Sequence, residues 1–227
     1  MIKISIIIPL APNESEWPFL LQSLNNIQHN IEILLVTSET NLALSSMLTP
    51  FNAAIKIIHS EQGRAKMLNT GSKMAKGRHL WFLHADSQIK PNTIHLLEKA
   101  IFKHPNSLIY FDLMFLKDSS RMMYLNSLGV RFRSHVLKTP FGDQGLCIKK
   151  SNFIQLGGYP DNLAYGEDHV FVWKSRQNNI EIKPANATIF TSGRKYKENG
   201  WLKTTLTHQY LWVKQAWPEW RKLMEMR

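Results

Sequence analysis

The stretch HLWFLHADS, residues 79–87, begins as protein interior and ends as a site. Leu80, Trp81, Phe82 and Leu83 are apolar in succession, without helical spacing or alternation, as in a strand covered on both faces. His84, Asp86 and Ser87 then bring an imidazole, a carboxylate and a hydroxyl to its end. Working outward, residues 4–8, 31–36 and 55–58 are apolar runs of the same kind, with helical stretches between them. Ser15 is a candidate cap for a helix with Pro18 in its first turn and Leu20, Leu21, Leu24 and Ile27 on one side. Residues 64–76 form a second helix, and Pro91 opens a third that turns Ile94, Leu97 and Ile101 inward. Strands alternating with helices predict an α/β, doubly wound, mostly parallel sheet. Ligands of such sheets bind beyond the carboxyl ends of the strands, where His84 to Ser87 fall.

The chain has 227 residues, 44% of them hydrophobic, enough for one domain with its own core. From about residue 105 the rhythm loosens into a longer strand, SLIYFDLMFL, a helical stretch over 121–136 and a glycine-punctuated region. The expectation is a single domain with halves 1–104 and 105–193 and a C-terminal helical segment, 194–227. One cysteine, Cys147, excludes an intrachain disulfide and a cysteine-rich zinc site and suits a reducing, cytoplasmic compartment. Pro9, Glu14 and Glu16 make the apolar opening a first strand rather than a leader. A net charge of +11 favours anionic partners: phosphates, nucleic acid or a lipid surface. Nucleic acid is not expected, because the aromatics lie in apolar strands or a helical stripe rather than in an RNA-reading motif.

Asp86 and Ser87 alone would read as caps of the helix near Pro91. Gly63, Arg64, Asn69 and Gly71 precede the strand, however, and an arginine in a first helical turn is a candidate anion site. FGDQG, 141–145, sets Asp143 and Gln144 between glycines ahead of a short strand at 146–148. GGYPDNLAYGEDHVFVW, 157–173, leads from a turn into a helix that starts at Glu167 and Asp168. Asp86, Asp143 and Asp168 are half of the six aspartates, each in a polar island amid apolar sequence, a distribution typical of a site.

The order IIIP, GRAKMLNTG, FLHADS, GDQG, GGYP, GED and TSGRKY resembles the family 2 glycosyltransferases of the Rossmann-like GT-A fold over nearly the whole chain. It is most similar to a bacterial subgroup with His-Ala-Asp-Ser/Thr where relatives carry Asp-x-Asp. The resemblance implies a divalent metal, Mn2+ or Mg2+, on Asp86 with His84 as neighbour or second ligand, bridging the diphosphate of a nucleotide sugar. It implies Asp168 as the base that deprotonates an acceptor hydroxyl, with Glu167 beside it, and inversion at the anomeric carbon. Pro9, Arg64 and Asn69, with Arg194 and Lys195, match donor-side positions; Asp143, Gln144 and Gly145 match the sugar and acceptor region. One departure stands out: LLVTSETN, 34–41, has Thr37, Ser38 and Glu39 where the family usually has a base-reading aspartate. A non-catalytic nucleotide-sugar-binding protein is therefore the alternative expectation.

From Arg194 onward, eight Lys or Arg oppose three Glu, and four of the seven tryptophans occur. Leu202, Leu206, Tyr210, Val213 and Trp217 recur at helical spacing, and Pro218 is expected to break the pattern. The expectation is a helix docked on the domain through that stripe. The competing reading is an interfacial helix on the inner face of an anionic membrane, near a lipid-linked acceptor.

Overall fold

The computed structural model describes residues 3–12, 14–24, 30–39, 48, 55–116, 122–193, 196 and 200–226. Ile27, Asn41, Arg194 and Lys195 lie outside them. Eight strands make one sheet: β1 Ile4–Leu10, β2 Ile31–Thr37, β3 Ile55–His59, β4 His79–Phe82, β5 Gln88–Ile89, β6 Leu108–Phe115, β7 Cys147–Lys149 and β8 Ile182–Thr191. Seven α-helices accompany them among the described residues: α1 Trp17–Ser23, α2 Arg64–Met74, α3 Thr93–Lys103, α4 Met123–His135, α5 Lys150–Gln155, α6 Glu167–Gln177 and α7 Trp201–Glu225.

The sheet order is β3-β2-β1-β4-β7-β6-β8-β5. β3, β2, β1 and β4 are parallel, with Ile6 level with both Ile33 and Trp81. β7 runs antiparallel to β4 and β6, and β5 antiparallel to β8. This is a mixed α/β sheet whose first half is parallel, as the sequence predicts. The consecutive apolar runs have the expected cause: Ile4, Ile6, Ile8, Ile33 and Trp81 pack on one face, Ile7, Leu34, Leu80 and Phe82 on the other. Helix α2 lies hard against the sheet. A Cβ at Gly71 would come within 2.6 Å of Ile7 and 2.9 Å of Val36.

Three local expectations change. Ser15 does not cap α1: Glu16 holds that position, and Glu14 Oε1 accepts the N–H groups of Ser15 and Glu16 at 3.0 and 3.1 Å. Pro218 does not end α7, which runs on to Glu225. Pro218 is exposed, so water can take the freed carbonyl one turn earlier, and the far end is held by buried Glu219 and Leu223. Gln177 Nε2 donates to the Glu219 carbonyl at 3.1 Å and to its carboxylate at 2.9 Å. The third change is the face of α7 that docks. Leu202, Leu206, Tyr210, Val213 and Trp217 are 55–65% exposed, while Thr204, Glu219 and Leu223 are buried. The helix docks, but through Thr204, Glu219 and Leu223, which lie off its predicted stripe. No helix among the described residues is long and apolar enough to cross a membrane.

Candidate functional site

The strand order reverses between β1 and β4, and a cavity of about 650 Å³ opens at their carboxyl ends. Pro9 comes from the end of β1, His84 and Asp86 from beyond β4, and Arg64 from the first residue of α2. Asp143 enters from the 3-10 turn Gly142–Gln144, and the outer wall comes from α4 and α7.

Arg64 organises the inner wall. Its Nη1 donates to Glu167 Oε1 and its Nη2 to His84 Nε2. Burial opposes its charge, but Asp168 and Glu167 more than offset this and hold its pKa above the ordinary arginine value. Asp168 accepts the Gly142 N–H on Oδ2 at 2.5 Å and the His169 N–H on Oδ1 at 2.8 Å. Burial pushes the Asp168 carboxyl up, and Arg64, the two N–H groups and His84 outweigh it, so it sits below the usual carboxylate range. Gly142 is required here: a Cβ would lie 2.6 Å from both Arg64 Nη2 and Asp168 Oδ2.

Asp143 behaves differently. Its Oδ1 is shielded from solvent with no hydrogen-bond partner, and burial, reinforced by Asp168 and Asp86 and opposed by Arg133 and Arg64, pushes its carboxyl up to about 6. Arg133 stands beside it, its guanidinium 3.5 Å from the centre of the Phe141 ring. Sequence reasoning missed Arg133. In RFRSH one arginine is exposed and the next-but-one buried, and nothing in the sequence distinguishes Arg131 from Arg133.

Several predicted residues stand behind the cavity rather than on it. Asn69 pins the Gly-Gly-Tyr-Pro turn to α2: its Nδ2 donates to the Tyr159 carbonyl at 2.8 Å, and its Oδ1 accepts the Tyr159 N–H at 2.9 Å. Gln144 is fully buried, its Oε1 accepting from Ser134 Oγ at 2.8 Å and its Nε2 donating to the Phe111 carbonyl at 2.8 Å. Gly145 supplies a left-handed turn, φ 63°, in which a Cβ would meet Ile189 at 2.3 Å. Glu167 and Asp168 adjoin Arg64 but do not line the cavity. Thr37 Oγ1 accepts the Glu39 N–H at 3.1 Å, so a local turn follows β2.

The donor set suits a hard divalent cation. Glu14, Glu16, Asp86 and Asp143 line the cavity with Arg64 and Arg133, and Asp86 Oδ2 accepts from Thr191 Oγ1 at 3.3 Å. Among the described residues no three His, Cys, Asp or Glu converge on one point. An ion here would draw on one or two carboxylates together with substrate phosphates and water. His84 fits less well as a ligand, because the Arg64 guanidinium covers its Nε2.

A mixed sheet whose order reverses between the parallel strands β1 and β4, with an arginine-bearing cavity at that point, defines an α/β domain that binds its ligand at the strand ends. The chain belongs to glycosyl transferase family 2, whose match covers residues 5–157. A Haemophilus influenzae protein described as an uncharacterized glycosyltransferase is 26% identical over 185 residues, covering 77% of this chain and 62% of that protein. This chain therefore spans less than two thirds of that relative. Among solved structures, the mannosyltransferase PcManGT from Pyrobaculum calidifontis, in complex with GDP-Man and Mn2+, matches 99% of this chain and 68% of its own at TM-score 0.69 and 18% identity. S. aureus TarS 1-349, in complex with UDP-GlcNAc, matches 84% and 58% at TM-score 0.65 and 20% identity. These likenesses establish the fold.

Proposed function

We propose that the protein is a divalent-metal-dependent, inverting glycosyltransferase that moves a sugar from a nucleotide-diphosphate donor to a hydroxyl acceptor. The observation that carries this reading is one cavity at the sheet's reversal point that Asp86, Arg64, Arg133 and Asp143 all line. The neighbours solved with GDP-Man and Mn2+ and with UDP-GlcNAc support the same donor class and metal. Asp86 would hold the ion, which supplies positive charge for the departing diphosphate. Arg64 orients the inner wall and adds fixed positive charge there.

The acceptor hydroxyl needs a carboxylate within hydrogen-bond reach. Asp168 holds that role by resemblance and is ionised, its lone pairs partly used by Gly142 and His169. A second assignment, Asp143, is favoured by a specific observation: it lines the cavity, which Asp168 does not. On this reading the reaction is assigned to the cytoplasm, with a hydroxyl acceptor that a lipid on the inner membrane face could present.

Thermal-shift screening of UDP, GDP, CDP and TDP sugars with and without Mn2+, followed by nucleoside-diphosphate release, tests the reading. The expected result is metal-dependent stabilisation and release, with base discrimination below about a hundredfold (roughly 2.7 kcal/mol), since Thr37, Ser38 and Glu39 replace the usual aspartate. Binding without release points to a non-catalytic binder, and no binding with any sugar nucleotide refutes the reading.

A further inference from the structure

Two exposed apolar rows flank the cavity's outer wall. On α7, Leu202, Leu206, Tyr210, Val213, Trp217, Trp220 and Met224 are all 42% exposed or more. At 3.6 residues per turn they fall within a stripe of about 80°, bordered within about 40° by Lys203, Lys214 and Arg221. On α4, Leu125, Leu128, Phe132 and Val136 form a second row, each at least 45% exposed. Helix α4 contains no acidic residue, and Arg131 and Lys138 lie exposed beside that row. Asn126 ties the two helices together: its Nδ2 donates to Thr205 Oγ1 at 3.2 Å, and its Oδ1 accepts from Trp201 Nε1 at 3.1 Å. Leu125 of the α4 row lines the cavity, and exposed Gln209, beside the α7 row, lines it too, so the face adjoins the cavity rim.

We infer that the α4–α7 face seats on an anionic lipid bilayer, with the cavity rim at the interface and the acceptor presented by the lipid. This rests on the glycosyltransferase reading for the acceptor alone. The chemistry of the face selects the occupant. Exposed apolar rows of this extent are costly in water. Tyr210, Trp217 and Trp220 among the aliphatics, with lysines along one edge, form the composition of a helix lying in a headgroup layer. A second copy would set one basic rim against another on a chain of net charge +11, whereas anionic headgroups complement it.

The test is co-sedimentation of the full chain with phosphatidylcholine vesicles, with and without phosphatidylglycerol. It is repeated for Leu206→Glu/Val213→Glu/Trp217→Glu and for Leu128→Glu/Phe132→Glu. All five positions are exposed, and circular dichroism checks that the variants fold. Salt-sensitive binding to the anionic vesicles, lost by about tenfold or more in both variants, is expected. Absence of vesicle binding, undiminished binding by the variants, or a sedimenting dimer that the variants dissolve would each overturn the assignment. Donor binding, measured separately by thermal shift, should stay unchanged in both variants. A failure there in the wild type counts against the transferase reading and leaves the vesicle result standing.

Discussion

The inner and outer walls of the cleft solve opposite problems. At the inner wall, charged groups are withdrawn from water and held by partners: Arg64 on Glu167 and His84, Asp168 on two backbone N–H groups. At the outer wall, α4 and α7 leave rows of apolar side chains exposed to water. A buried charge tolerates no vacancy, so the inner wall is tightly determined. An exposed apolar row is costly in water and gains by acquiring a surface. The difference separates a part built for chemistry from a part built for placement.

The inner wall breaks most severely at its base. Whichever of Asp168 and Asp143 takes the acceptor proton, its change to Asn should lower transfer by about a hundredfold to ten-thousandfold, roughly 2.7–5.4 kcal/mol of barrier. The other change should cost less than about tenfold. The pH profile discriminates independently. A rate rising with pH through about 6 identifies Asp143, whose carboxyl is pushed up to that value. A rate flat near that pH identifies Asp168, which is held below the usual carboxylate range.

Next in size is the ion pair beneath it. Arg64→Leu leaves Glu167 buried with its partner gone and should cost about 3 kcal/mol by urea unfolding. That is the low end for a broken buried pair, because the Arg64 side chain is 33% exposed. Adding Glu167→Gln should restore part of the loss, and full stability in the single variant would show that the pair contributes nothing.

Asp143→Asn should do the opposite and stabilise the fold. The carboxyl is raised from 3.8 to about 6 in the native state. Between those values the native state keeps a proton that the unfolded chain has released, so stability falls as pH rises through the window and is level above it. At neutral pH the Asn variant should gain about 2–3 kcal/mol, and the gain should vanish below about pH 4. Melting temperatures across that range check the sign.

The smallest effects belong to the outer wall. Leu206→Ser and Tyr210→Ser should change stability by no more than about 0.5 kcal/mol, since both side chains already stand in water. Leu223→Ala, on the docked side of the same helix, should cost about 2 kcal/mol or more, because Leu223 is only 7% exposed. Equal costs on the two sides would erase the contrast between the walls.

Reading these elements from sequence succeeded where burial allows only one answer. A strand with consecutive apolar residues must be covered on both faces, so residues 4–8, 31–36 and 80–83 already implied the parallel half of the sheet and the place of Asp86 at its edge. Helix α7 admits two answers. Its pattern shows an apolar stripe, but Trp201, Leu211, Trp212 and Leu223 supply apolar groups on the other side as well, and periodicity does not say which side finds a partner. The same limit hid Arg133 and made Asn69 and Gln144 look like ligands. A polar side chain that lines a cavity and one that braces a turn are the same letter until the chain folds. What the sequence determined by itself is the family, the parallel sheet and the strand-end carboxylate, because these follow from local burial and motif order. Only the tertiary structure decided that Arg64 meets Glu167 across 103 residues and that α7 turns its aromatic stripe outward. Both depend on which distant surface is near enough to satisfy a charge or cover a methyl group.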